Sequence, residues 1–595
     1  MQPIIAKQIL PWFGGSAAVW TTCLVFFQSV LLAGYAYADW TTRLGPKRQA
    51  LAHVALLALS LAFLPILASS GWKPRGDEQP IARILLLLAA TIGLPYFLLS
   101  TTTPLLQAWY WRRFQSAVPY RLFALSNFAS LLALLGFPLL LEPAFDLGQL
   151  GWCWSCLYAG FVALCAALGL RSAREAAPPR QAEATSAPLP SATIQLLWLA
   201  LAAMGSAMLL AVTNHITQNI SSVPFLWVLP LGLYLVSFVF AFDHPRWYVR
   251  PLFIASLVVL LPAMAYYVPS LKLAVAVPVY LAGLFAACML CHGELARVKP
   301  DPAHLTRFYL MISLGGALGA VLVAIVAPLT LSGYFELGIT LVLLSLLLVL
   351  RLRGMARWAG VAVATVTVVF VVRGAQDYTR GVRVMERDFY GVVRTADHLE
   401  PVPYRSMQHG GIKHGGQLLG DSFRNTPADY FGPTSGYGRV FTSLREMAPD
   451  KPLSIGVIGL GAGVIGAWMK SGDRLVFYEI SPRVVDIARR EFTFLADSPA
   501  RIEIVLGDGR LSLEREPPRG YDVLGIDAFS GDSVPMHLLT REAMALYVKH
   551  IKLDGVIVFQ ATNRYIDLLP VVKRLAAEFG FEAVNVSDWP DATEG

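Results

Sequence analysis

Long uninterrupted runs of apolar residues fill the chain up to about residue 373. From about residue 376 the pattern changes to short apolar runs punctuated by glycines and charges. The long runs predict helical spans at about 12–38, 48–70, 81–103, 119–141, 150–170, 194–213, 224–242, 251–269, 272–293, 306–330, 333–350 and 358–372. Most are long enough to cross a bilayer; the last, confined between Arg357 and Arg373, is the shortest. Residues 171–193, rich in alanine, proline and serine, read as a flexible linker between two halves. A weak repeat agrees with two halves. Arg121–Asn127 (RLFALSN) resembles Arg307–Ser313 (RFYLMIS), and each opens a span rich in small residues that suits close helix packing. Span 194–213 has no counterpart in the first half, which predicts a further span upstream of Met1.

Alternating apolar residues between glycines predict a small antiparallel β-region over 376–450. From 453 strand and helix patterns alternate, as in a doubly wound parallel sheet, with strands near 453–458, 475–479, 502–506, 521–526, 556–560 and 582–586. The expected organisation is a polytopic α-helical membrane region at 1–373, the β-region at 376–450 and an α/β doubly wound, Rossmann-like cofactor domain at 451–595.

Composition supports this division. The 595 residues are 55% hydrophobic and 15% charged, with a mean hydropathy of +0.55, which excludes a wholly soluble protein. The net charge of +8 lies largely in short loops between apolar runs, so it signals topology and not a nucleic-acid partner. Basic clusters such as Arg43/Lys47/Arg48, Arg112/Arg113 and Arg351/Arg353/Arg357 occupy alternate loops, whereas the opposite loops are nearly bare. The positive-inside rule puts the basic loops in the cytoplasm. If 358–372 crosses, the C-terminal domain then lies outside; if it does not, the domain is cytoplasmic. Six cysteines make no disulfide framework, and no cleavable leader precedes the first span, which is expected to stay as an anchor.

Candidate chemistry gathers at predicted strand ends. Ser454–Gly466 (SIGVIGLGAGVIG) carries Gly459, Gly461 and Gly463, which allow close backbone approach to a nucleoside-bearing cofactor, and Glu479 ends the next strand, where an acid accepts both ribose hydroxyls. Strand three ends in Asp508-Gly509 and strand four in Asp527, with Asp532 beyond it. Asp508 is expected to take an adenine amino group, and Asp527 or Asp532 to face a second substrate, Asp527 as a base. The competing reading is that these acids cap helices. His409 and His414, flanked by glycines, read as turn residues before metal or catalytic groups, and no metal-ligand grouping is expected. In the spans, Asn214, His215, Gln218 and Asn219 form a polar cluster that reads equally as a site or as an interface loop. Cys288, Cys291 and His292 match a haem-attachment spacing, but inside an apolar span they read as packing residues. Cys153 and Cys156 share the two-residue cysteine spacing without further support for redox chemistry.

The motifs IGLGAG, YEIS, GDG and IDAFSGD resemble those of the spermidine synthase family, aminopropyltransferases with an S-adenosylmethionine-methyltransferase fold. The similarity covers about 385–590, and the opening ILPWFGGSAAVWTTCLVFFQ resembles the bacterial branch fused to a polytopic membrane region. The resemblance implies decarboxylated S-adenosylmethionine as aminopropyl donor, a diamine such as putrescine as acceptor, and a multi-pass place in a bacterial inner membrane, with the donor favouring a cytoplasmic domain. It brings Gln417 and Tyr430 in as substrate-binding residues beside Asp532. Departures fall mainly on the amine side: Ala462 stands where the family carries an acid, the second carboxylate after strand four is displaced to Asp532, and Tyr430 matches only approximately. The family's final hairpin is cut short at Gly595, which implies further chain beyond it. The alternatives are an S-adenosylmethionine-dependent methyltransferase, a polyamine- or nucleoside-binding transporter or sensor without turnover, and an NAD-dependent dehydrogenase.

Overall fold

The computed structural model describes the chain except residues 77, 115–118, 175–189, 220–223, 270–272, 302–303, 411, 529–534, 563–566 and 589–595, together with the side chains of 111–114, 119–121, 174, 219, 224–226 and 273. Most of the predicted linker and Asp532 therefore lie outside the described residues, as do the side chains of Arg112, Arg113, Arg121 and Asn219.

Nine helices among the described residues are long and apolar enough to cross a bilayer, from Ala17–Leu44 to Met355–Thr379. The last of these, which the sequence reads as the shortest span, is a continuous 25-residue helix. The span expected at 48–70 is shorter than predicted. Its helix, Pro46–Ser60, closes in a 3-10 turn at Leu61–Phe63, ahead of Pro65, as expected where the residue before proline is pushed out of the helical region. Helices Ala192–Asn219 and Leu305–Val321 pack backbone to backbone. A side chain at Gly315 or Gly319 would meet the carbonyl oxygen of Leu199 or Ala203 at 2.4 and 2.3 Å, the close approach that small residues permit. Ser206 Oγ adds a hydrogen bond to the Gly316 carbonyl.

Nine strands follow: β1 (Val382–Asp388), β2 (Gly391–His398), β3 (Tyr404–His409), β4 (Ile412–Leu418), β5 (Ser454–Ile458), β6 (Arg474–Glu479), β7 (Arg501–Leu506), β8 (Tyr521–Ile526) and β9 (Ile551–Phe559). The first four form an antiparallel meander in the order β1-β2-β3-β4. The others form a parallel sheet in the order β7-β6-β5-β8-β9. Strands β5, β6 and β8 are apolar along almost their whole length and buried, as required where a sheet is covered on both faces. The order reverses at β5, so the crevice for a ligand opens beyond the C-terminal ends of β5, β6 and β8.

Two expectations fail. The stretch 582–586, read as a sixth strand, carries no regular secondary structure. The helix predicted after the glycine turn is only a 3-10 turn, Val464–Trp468. Gly466 is held there against the Phe494 carbonyl, and Met469 returns to extended backbone.

The sheet rim faces the helix ends. Arg387 on β1 forms a bidentate pair with Glu336, the first residue of helix Glu336–Arg351, at 3.0 and 3.1 Å. The two side chains are 4% and 6% exposed. Arg387 also donates to the Gly333 carbonyl and lies over the Tyr334 ring. Lys73, in the loop before helix Pro80–Phe114, pairs with Glu514 at 2.9 Å on the far side of the rim. Removing one member of a desolvated pair strands the other, at a cost of roughly 3–5 kcal/mol, whereas apolar replacement of both is close to neutral. Arg387→Ala is therefore expected to lower the thermal midpoint of the detergent-solubilised chain markedly, and Arg387→Met with Glu336→Leu to restore most of it.

Candidate functional site

A pocket lies at the rim where the strand order reverses. Its floor is the ends of β5, β6 and β8 with Gly459, Leu460, Gly461, Glu479, Asp508, Gly509 and Asp527; its roof is Tyr390, Met407, His409 and His414 from the meander; Gly14 and Ser16 close it from the helix region.

The glycine turn is built for contact with backbone. Gly459 has φ of 106°, and a side chain there would meet the Asp527 carbonyl oxygen at 2.2 Å. Ala462 N–H donates to the His414 carbonyl at 3.1 Å, tying the β3–β4 hairpin over the turn. Glu479 is 7% exposed. Its Oε2 accepts from Leu460 N–H at 3.0 Å and its Oε1 from Ser481 N–H at 2.8 Å. Burial pushes this carboxyl up to about 7, against the pull of those backbone donors. A carboxylate has about four acceptor positions, so capacity remains for a further donor.

Asp508 does cap a helix, as the competing reading of the acids proposes. Its Oδ1 accepts from Leu511 N–H at 2.9 Å at the start of helix Gly509–Arg515. Its Oδ2 lies 2.8 Å from Nε2 of His537, a partner with no signal in the sequence pattern. Asp527 differs from both. Its Oδ1 is buried with no hydrogen-bond partner among the described residues, and burial holds its carboxyl well above the ordinary carboxylate range. Tyr437, whose buried hydroxyl also has no partner, and Tyr430 are kept protonated first by burial and then by the charge of Asp527. Unpaired polar groups in such surroundings cost free energy unless a ligand satisfies them.

The other expected residues are more dispersed. Tyr430 sits on the 3-10 turn Asp429–Phe431, its ring against Phe431 at 4.2 Å. Gln417 is engaged at both ends, donating to Thr493 Oγ1 and the Arg424 carbonyl and accepting from Thr493 N–H, and it stands outside the pocket lining. His409 and His414 are strand residues facing the pocket, not turn residues. Their rings lie 5.7 Å apart. Burial, then the neighbouring His409, pushes His414 down to about 3, so it stays neutral beside any bound cation. Asp388 also escaped the sequence reading. Its Oδ1 accepts from Tyr390 and Gly391 N–H, and its Oδ2 from the Ser481 hydroxyl at 2.5 Å. Cys288 and Cys291 are fully buried, and His292 stacks on Phe238 at 3.6 Å with its Nδ1 2.8 Å from Ser237 Oγ, as packing residues do.

A dinucleotide needs a helix N-terminus beneath its pyrophosphate. The turn after Gly463 is not an α-helix, so the floor suits a nucleoside donor without a diphosphate.

No family model matches the chain. Over 113 residues it is 34% identical to the polyamine aminopropyltransferase of Vibrio vulnificus (strain CMCP6), a match covering 18% of this chain and 37% of that protein. Over 138 residues it is 28% identical to proteins named "Putative O-methyltransferase" in Mycobacterium bovis (strain BCG / Pasteur 1173P2) and Mycobacterium tuberculosis (strain ATCC 25177 / H37Ra), covering 22% of this chain and 61% of each of them. The chain thus spans from about a third to under two thirds of these relatives. The printed names of these relatives are those of transferases.

Gly459→Ala is expected to abolish nucleoside binding and to cost more than the ~1–2 kcal/mol of a left-handed side chain alone, because the added carbon meets fixed backbone. Gly520→Ala, with φ of 62° and open space, supplies the left-handed cost by itself, and comparing the two thermal midpoints measures the difference.

Proposed function

We propose that the chain is a membrane-bound aminopropyltransferase of the spermidine synthase type. It takes decarboxylated S-adenosylmethionine as donor and a polyamine-type amine as acceptor. The observation that carries the reading is the carboxyl oxygen of Asp527, without a partner among the described residues, at the rim in one pocket with Glu479 and Asp508. Glu479 accepts the ribose hydroxyls through its remaining acceptor capacity, and Asp508 receives the adenine edge. Asp527 holds the acceptor's ammonium and takes one proton as the amine nitrogen bonds to the methylene carbon beside sulfur. The carbon–sulfur bond breaks, and its electron pair leaves with methylthioadenosine. An acid whose affinity for protons is raised by burial is suited to that step.

Methyl transfer from S-adenosylmethionine to another acceptor is the second reading, favoured by the wider coverage of the mycobacterial relatives. Donor preference separates the two. Calorimetry on the detergent-solubilised full chain is expected to show tighter binding of the decarboxylated donor than of S-adenosylmethionine; the reverse order supports methyl transfer. A sulfonium favours the ionised forms of Glu479 and Asp527. Near pH 6–7 its binding is therefore expected to release protons, seen as buffer-dependent heat, whereas neutral methylthioadenosine releases fewer. Affinity for the sulfonium then rises with pH through about 7, the value that Glu479 reaches in the empty pocket. Glu479→Ala is expected to lose donor binding, and Asp527→Asn to keep binding but lose turnover.

The helix ends support an outward-facing domain. Ser16, Gln79, Gln218 and Leu329 lie at the domain. At the opposite ends Glu294 gathers Arg250, Arg297 and Arg351, and Asp39, next to the Arg43/Lys47/Arg48 cluster, accepts from Thr306. Under the positive-inside rule the domain faces out of the cytoplasm, against the placement that a cytosolic donor favours. Alkaline phosphatase, which needs an oxidising compartment for its disulfides, is expected to be active when fused after Gly595. An inactive fusion, with an active cytoplasmic reporter at the same point, would place the domain inside.

A further inference from the structure

A second, larger cavity of about 650 Å³ separates the domain from the helices. Its domain wall includes Arg387, Asp388, Tyr390, His409, Ile480 and Asp486, and its helix wall includes Ser16, Thr21, Thr22, Asn214, Thr217 and Gln218. Ser16, Tyr390, His409 and Ile480 line both this cavity and the rim pocket. We propose that the amine acceptor reaches the transfer site through this cavity, and that the helix region, not the C-terminal domain, reads its chain; this rests on the aminopropyl-transfer reading.

Three observations carry it. First, the polar cluster at the end of helix Ala192–Asn219 borders this cavity: Gln218 is half-buried there, and Thr217 Oγ1, tied back to the Thr213 carbonyl, keeps acceptor capacity. Asn214 and Thr217 are each 5% exposed and face the cavity. Ser16 Oγ, in a residue 5% exposed, is buried with no partner among the described residues. Buried polar groups at helix ends in a membrane region mark solute paths. Second, the charge favours a cation. Both arginines of the wall are committed to acids: Arg387 to Glu336, and Arg483 to Glu386 and Asp486. Toward solvent Glu78 lies 4.0 Å from Arg83 and Asp486 is the partner of Arg483. At the inner end stands Asp388, whose hydrogen-bond donors are all neutral. An acid so held raises the local concentration of a cation. Third, the linings match a flexible diamine. Hydroxyls and amide oxygens accept from ammonium N–H groups without the desolvation cost of a buried ion pair, and Ala17, Ala18, Ala324 and Leu329 offer apolar surface to methylenes.

The test uses the full chain in detergent and 1,4-diaminobutane as probe, with methylthioadenosine binding as a separate readout. Gln218→Leu and Asn214→Leu are expected to weaken diamine binding tenfold or more and to leave methylthioadenosine affinity unchanged. Gln218→Glu is expected to tighten diamine binding several-fold, and to do so more for the dication than for 1-aminobutane, a gain that misfolding cannot produce. Diamine affinity unmoved by these variants, or weakened by Gln218→Glu, overturns the inference. Aminopropyl transfer with an unchanged acceptor KM in Gln218→Leu also overturns it while sparing the proposed activity. Variant-sensitive diamine binding, with no transfer to any amine, sinks the activity and leaves the cavity as a cation site.

Discussion

The buried pair between Arg387 and Glu336 sets the relation between the two regions. Two charges taken out of water gain little net stability, because desolvation cancels most of their attraction. What a bidentate pair fixes is geometry. Arg387 cannot move without stranding Glu336, so β1 is held against the start of helix Glu336–Arg351. Asp388 is the next residue. It organises the β1–β2 turn through Tyr390 and Gly391 and takes the Ser481 hydroxyl. Ser481 N–H in turn donates to Glu479. A continuous line of polar contacts thus runs from a helix of the membrane-like region to the acid at the end of β6.

The rim beyond that line is dry and acidic, an arrangement that stability alone does not explain. Asp508 is satisfied by a helix cap and a histidine, and Glu479 by two backbone donors. Both contribute to the fold as they stand. Asp527 differs, since its Oδ1 has no partner among the described residues and burial opposes its charge. Its neighbours do not oppose a cation: His414 is held neutral, and the Tyr430 and Tyr437 phenols stay protonated. In the proposed reaction, a pocket that resists ionisation and relaxes when a cation arrives couples donor binding to proton release. On that reading the coupling leaves the acid ready to take a proton from an amine.

Much of this was legible in the sequence, but unevenly. The β5, β6 and β8 strands and the residues at their ends could be read because a strand covered on both faces is an unbroken apolar run, and the polar residue that ends it must sit at the rim. The helix after Gly463 was misread because VIGAWM has helical periodicity; what stops it is a tertiary contact, the Phe494 carbonyl against Gly466. His409 and His414 were misread because glycines on either side imitate a turn signal, whereas here they let the hairpin lie close over the Gly459–Gly463 turn. The stretch 582–586 alternates apolar and polar residues without finding a partner strand among the described residues. Docking of the rim against the helices had no local signature. Periodicity reports that Arg387 and Glu336 are unusual, not that they meet.

That docking changes what fusing the two regions achieves. A free-standing domain would open its rim to water, and both substrates would enter from solvent. Here Gly14 and Ser16 close one side of the pocket, the β3–β4 hairpin covers the glycine turn, and the loop around Lys73 is pinned to Glu514. The large remaining volume beside the rim is the polar cavity that the helices share. Whatever reacts at Asp527 therefore meets side chains from both regions before it meets the carboxyl. In the proposed reading the helices act as more than an anchor: an anchor needs one apolar helix, whereas a wall of Ser16, Asn214, Thr217 and Gln218 needs two, Ala17–Thr41 and Ala192–Asn219, to meet at the domain.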